Sequence, residues 1–379
     1  MRGNLYSLEA LIDFAAAIYS SKVTASSDIS KQDTKAGIQR DQFMKYDRDC
    51  SVGDLNDKLF VKQVLYRILT DCKNEVTMEY PSKYGVTKAN IDEFIDWKST
   101  DLDSYLKYLA MLQHYENVLG YGPEAFGQFL EAHHLNILRK DKDGSMGFFV
   151  ESSDIDLAWK KEHLAMEFDA KMDVLTQLVY EEIKGNSCID ELLYQNLGDI
   201  SIGVSGIPNA MFANEIEPYT NAFDTCWVRY KGCSIHLRFL TFGSYEKMKD
   251  VVRRGMSYQM KGQFSEREGF KLGYAKDGSR RTAAIEPFGE SPALWVRKFT
   301  ARHQTNDELL AKLPGFEKVM DVEKILVQGG ATIPVCGAQG SGKTTKLEAI
   351  AEYIQPFYAI RVMESEFEAR LRWKYPRKN

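Results

Sequence analysis

The chain has 379 residues and a formal net charge of -5, with 44% hydrophobic, 27% charged and 12% aromatic residues. That length suits two or three domains, and the charge excludes an electrostatic grip on nucleic acid by the molecule as a whole. The six cysteines, Cys50, Cys72, Cys188, Cys226, Cys233 and Cys336, show no C-x-x-C spacing, which argues against zinc and disulfide frameworks and for a reducing cytoplasm.

In chain order, Leu8 to Tyr19 is apolar but broken by Glu9 and Asp13, so it is expected as an amphipathic docking helix and not a membrane span. Ser20 to Gln42 is polar without an apolar period and is expected as a loose linker. Leu55 to Asp71 and Leu102 to Leu119 repeat apolar residues near every 3.6 positions, the helical period. Pro123 suits a helix start, and the helix should run to His133. Leu135 to Glu151 is expected as a hairpin turned at Asp141 to Gly144, and Asp154 to Ile183 as one long helix of mixed charge. Residues 1–42 are thus a helix and linker, and 43–186 a helical accessory region. His133, His134, His163 and His236 have no ligand partner at a useful spacing.

Residues 187–304 are strand-rich. Asp199 to Gly206 alternates apolar and polar residues. Cys226 to Tyr230 and Ser234 to Phe242 form a hairpin across Lys231 and Gly232, with Cys226 and Cys233 as half-buried strand residues. Ser244 to Met260 is a helix. Gly269 to Ala275 and Arg280 to Glu286 form a second hairpin, and Ala293 to Phe299 adds a strand. A curled sheet carrying one or two helices, an α+β domain, fits this order. Residues 305–379 begin with two short helices interrupted at Pro314 and Gly315.

An apolar strand, Ala331 to Cys336, then leads into Gly337, Ala338, Gln339, Gly340, Ser341, Gly342, Lys343 and Thr344, with a helical pattern from Lys343 to Ile354. The spacing G-x-x-x-x-G-K-[ST] between strand and helix is that of a phosphate-binding P-loop. The glycines allow backbone geometry that a Cβ would obstruct, and backbone N–H groups at the helix start face an anion. Lys343 reaches the β- and γ-phosphates, and Thr344 offers its hydroxyl to the Mg²⁺ that accompanies ATP. A further strand, Tyr358 to Glu364, ends on a carboxylate, and Phe367 to Lys374 is expected to be helical. Few residues follow, with no second acidic strand, so the sequence is expected to be a truncated form, a gene fragment or a split product. The fold class is α/β: a helical region, a small α+β sheet domain, and the start of a RecA-like P-loop domain.

Four segments together resemble the secretion-superfamily ATPases of type II and type IV secretion and pilus assembly, in particular the CpaF-like branch of Tad pili and conjugative elements. They are Asp199 to Pro208; Asp277 to Arg280 with Ile285 to Phe288 and Trp295 to Phe299; Gly337 to Thr345 with its doubled threonine; and Arg361 to Glu364. The resemblance covers residues 188–379. Ser365 departs from the usual Asp, and the family's Walker B acid and histidine box have no counterpart; this chain alone is expected to be hydrolytically incomplete.

The resemblance implies a cytoplasmic motor at the inner face of the membrane, acting as a hexamer on inner-membrane components of a secretion or pilus machine. ATP would bind between the N-terminal domain and the P-loop domain. It implies Arg280 and Arg297 as phosphate-neutralising residues, a role suited to the guanidinium fork; either could instead be a surface residue on its strand, and Arg281 and Lys298 are expected to be that. It implies Glu364 as the carboxylate that orients or deprotonates the attacking water, with Glu368 as a second acid; a helix-start carboxylate is the alternative for Glu364. Direct nucleic-acid binding is not expected. The other readings are a nucleotide-binding regulatory or adaptor subunit without turnover and, more weakly, a P-loop kinase.

Overall fold

In a computed structural model these periods resolve into a mixed α/β fold. The described residues are 4–26, 35–71, 80–81, 83–142, 144–203, 225–258, 264–289, 291–299, 305–311, 313–338 and 341–364, with 369 and 371. They fall into two compact units, Met1–Lys298 and Phe299–Asn379. Among them no helix is long and apolar enough to cross a membrane.

The first unit carries α1 (Leu8–Ser26), α2 (Lys35–Asp49), α3 (Leu55–Thr70), α4 (Ile91–Phe94), α5 (Ser104–Gln113), α6 (Ala125–Ala132), α7 (Ser152–Glu162), α8 (Phe168–Ile183) and α9 (Tyr245–Gly255). Its strands are β1 (Arg139–Lys140), β2 (Met146–Val150), β3 (Asp199–Gly203), β4 (Thr225–Tyr230), β5 (Cys233–Leu237), β6 (Phe270–Tyr274), β7 (Arg280–Ala284) and β8 (Ala293–Arg297). They form one sheet in the order β1-β2-β5-β4-β3-β8-β7-β6. β2 pairs with β5 in parallel, and the other pairs are antiparallel. The β4–β5 turn places Lys231 at φ 47° and Gly232 at φ 84°, the two positive values that match a turn to strand twist.

Strand alternation sends Ile200, Ile202, Cys226, Val228, Ile235 and Val296 into a core shared with Tyr108, Phe126 and Val251. A second core joins Leu11, Phe14, Leu65, Met172 and Val179 from α1, α3 and α8. α5 is the wall between them: Tyr108, Met111 and Leu112 enter the first core, Leu109 and Ala110 the second. Its buried Lys107 is paired with Asp156 at 2.7 Å. The helical part and the sheet are also tied by Lys276 in the β6–β7 turn. Its ammonium lies 2.6 Å from Asp54 and 2.7 Å from Asp57, and its N–H donates to the Val52 carbonyl at 2.9 Å.

Three expectations are corrected in this unit. Part of the polar stretch 20–42 is helix, because α1 runs to Ser26 and α2 begins at Lys35; Phe43 and Tyr46 of α2 pack on Phe60. The long helix at 154–183 is two helices, broken where His163 takes φ 47°, a left-handed value that ends an α-helix. Arg281 and Lys298 are buried, not surface residues. Arg281 Nη1 donates to the Gly255 carbonyl at 2.8 Å, and Lys298 Nζ donates to the carbonyls of Leu193, at 2.7 Å, and Gln195. Burial pushes the Lys298 ammonium down to about 8.

Between the cores, Glu181 accepts hydrogen bonds from Tyr105 Oη at 2.7 Å and Gln177 Nε2 at 2.8 Å. Burial, reinforced by the Asp190 charge, pushes its carboxyl up from 4.5 to about 8. The folded state therefore holds this proton where the unfolded chain has released it. Its contribution is fully present below pH 4.5 and is lost as pH rises toward 8, at about 1.4 kcal/mol per pH unit. Glu181→Gln, which keeps both accepted bonds, is expected to flatten that slope in denaturant unfolding measured between pH 5 and 8.

The second unit contains α10 (Asn306–Leu310), α11 (Phe316–Gln328) and α12 (Lys343–Ile350). Gly315, at φ 73°, makes the turn into α11. Neither expected strand is paired: among the described residues, 331–337 and 359–364 carry no ladder. An apolar extended run becomes a strand only when a neighbour takes up its backbone N–H and C=O groups. Much apolar surface is open here, with Ile325 69% and Met363 96% exposed. A groove of about 640 Å³ is lined by Ile333, Leu347, Ile350, Tyr358, Ile360 and Val362 among others. The helix expected at 367–374 lies almost wholly outside the described residues.

Candidate functional site

Gly342 sits at φ 85° immediately before α12, a conformation that L side chains rarely adopt. At Gly337 a Cβ would lie 2.5 Å from Ser341 Oγ, so a larger residue there would require the serine hydroxyl to turn away. No side chain caps α12, and its first-turn N–H groups have no partner within the helix, as at every helix start. Lys343 folds back over the loop, and Nζ donates to the carbonyls of Gly337 at 3.0 Å and Ala338 at 2.7 Å. Thr344 and Thr345 follow in the first turn. Gln339 and Gly340 lie outside the described residues.

A buried clamp anchors the helix behind this loop. Asn306 is fully buried and donates through Nδ2 to Glu323 at 2.7 Å and Tyr353 Oη at 2.9 Å. Lys346 Nζ donates to Asn306 Oδ1 at 2.6 Å and pairs with Glu323 at 2.7 Å. Three helices are thus locked around one turn of α12. Sequence reasoning missed this clamp; the one available signal was Thr305 with Glu308, a capping box that starts α10 and brackets the hub residue Asn306.

Glu364 is exposed, and its Oε1 accepts the Ala369 N–H at 3.0 Å. Glu368 lies outside the described residues.

Arg280 and Arg297 are in the first unit, directly opposite one another on β7 and β8. They lie on the sheet face turned away from the core and line a shallow groove of about 260 Å³ with Asp199, Arg229, Trp227 and Trp295. Arg281, one residue on from Arg280, is on the buried face. Among the described residues no cluster of three or more His, Cys, Asp or Glu side chains could hold a metal.

Compared with known proteins, the chain matches no protein-family model, and no curated protein matches it.

Proposed function

We propose that the second unit binds a nucleoside triphosphate, ATP with Mg²⁺, and that the chain works as a motor ATPase of the secretion, conjugation or pilus-assembly type. The observation that carries this reading is the loop from Gly337 to Lys343: a left-handed Gly342, an uncapped helix start, and a lysine resting on loop carbonyls. Backbone donors, helix dipole and one lysine ammonium converge there, and a polyphosphate satisfies all three. In this reading Gly337 to Thr345 cradle the phosphates, Thr344 meets Mg²⁺, Arg280 and Arg297 neutralise phosphate charge, and Glu364 handles the attacking water. A start of a RecA-like domain, a hexameric ring, and a place at the cytoplasmic face of a membrane machine belong to the same proposal.

One observation favours a second reading, a nucleotide-binding regulatory or adaptor subunit without turnover. Glu364 is already engaged by the Ala369 N–H, and a general base must instead reach water. Phosphate release from MgATP separates the two. In the motor reading this chain alone, without counterparts of the family's Walker B acid and histidine box, releases phosphate only slowly, and Glu364→Gln abolishes that release with ATP binding retained. The adaptor reading expects ATP binding with no release by either protein. Absence of ATP binding would end both.

A further inference from the structure

The break between α7 and α8 opens onto a pocket. The chain leaves helical geometry from His163 to Glu167, beginning with the left-handed His163 at φ 47°. A cavity of about 400 Å³ lies there, lined also by Trp97 and Lys98 from the stretch that follows α4. That volume is within the range of small-molecule sites. Trp97, Trp159, Leu164 and Met166 give the cavity apolar walls, and its charged lining is three lysines, Lys98, Lys160 and Lys171, with no carboxylate.

Two of those charges are free. Lys171 is tied to Asp92. Lys98 and Lys160 are exposed, and among the described residues neither ammonium has an ion-pair or hydrogen-bond partner. A third group in the lining is also unmatched. Trp97 is 7% exposed, and its Nε1–H is buried with no hydrogen-bond partner. Buried donors in folded proteins are nearly always paired, and an indole N–H can only donate. Flat apolar walls, two free cations and one unpaired donor thus belong to one cavity, and they call for the same guest: a ring that carries an anionic acceptor.

We propose that this pocket binds a small aromatic acid, a flat ring carrying a carboxylate. The ring displaces water from the two indoles, Leu164 and Met166, which supplies the bulk of the affinity. The carboxylate takes up the Trp97 N–H and is held by the Lys98 and Lys160 charges, which selects an acid over a neutral ring of the same shape. Lysine suits this role because a point charge on a flexible stem follows a carboxylate without the fixed geometry that an arginine fork demands. The proposal stands apart from the P-loop reading, since no residue of the pocket has a role there.

The test is isothermal titration of the full chain with naphthoate at low salt, with naphthamide as the uncharged ring of the same shape. Saturable binding of naphthoate is expected, at least about tenfold tighter than that of the amide, the factor that one charge-assisted hydrogen bond supplies. Lys98→Gln combined with Lys160→Gln should abolish that preference and leave the amide unchanged; both side chains are exposed, so the double variant keeps the fold. Trp97→Phe, which keeps a ring and removes the N–H, should weaken naphthoate about tenfold. Should that variant not fold, the lysine pair alone decides. Lys343→Ala should bind naphthoate as wild type, and excess ATP should not compete. No binding of naphthoate, equal binding of the amide, an unchanged preference in the lysine double variant, or competition by ATP would each overturn the proposal.

Discussion

Lys58→Met is expected to destabilise the first unit by about 3–5 kcal/mol, the cost of stranding one partner of a buried ion pair. Lys58 is 2% exposed, with Nζ 2.6 Å from Asp190 and 3.2 Å from Glu191 and 4.2 Å from the centre of the Tyr194 ring. Burial alone would lift the Asp190 carboxyl, but the Lys58 charge outweighs it and holds Asp190 below 3.8. That contribution is present above the unfolded value of 3.8 and is lost only as pH falls through the lower, folded one. Methionine has nearly the volume of lysine, so the loss reports charge and not packing. Lys58→Met combined with Asp190→Asn should recover about 1–2 kcal/mol of it, because the Asp190 charge is then gone and Glu191 keeps Lys62 at 3.8 Å. Urea unfolding at pH 7 measures both. A single-variant loss under 1 kcal/mol would mean that water reaches Asp190.

Lys343→Ala is expected to weaken ATP binding at least about a hundredfold, which is about 2.7 kcal/mol. A charge-assisted bond to phosphate accounts for about 1.5–3 kcal/mol, and the lysine joins two phosphates. The unfolding midpoint should barely move without nucleotide, since Nζ touches only two carbonyls of an exposed loop. Those carbonyls hold the ammonium over the loop, so binding redirects a cation that is already placed. Isothermal titration and thermal unfolding of both proteins check the two halves. A large drop in stability would show that the lysine is structural.

Local chemistry was the legible part. Gly232 and Gly278 adopt the positive φ values that turns require, and both hairpins lie where those residues point. Pro314 and Gly315 separate α10 from α11, and the P-loop glycines announce the start of α12. Non-local pairing was not legible: nothing in Met146 to Val150 says that it runs parallel to β5. The break at His163 has neither glycine nor proline to mark it. Arg281 was legible and misread, because adjacent strand residues point to opposite faces. If Arg280 faces outward, Arg281 must enter the core. The clamp of Asn306, Glu323 and Lys346 joins residues too far apart in sequence for any period to reveal.

The central claim is that the second unit binds ATP through Gly337 to Thr345. Equilibrium dialysis of the full chain against labelled ATP and Mg²⁺, with Lys343→Ala in parallel, tests it most directly. The account predicts one ATP held per chain, displaced by ADP but not by AMP, and none held by the variant. No retention by the wild-type chain, or equal retention by Lys343→Ala, would contradict it.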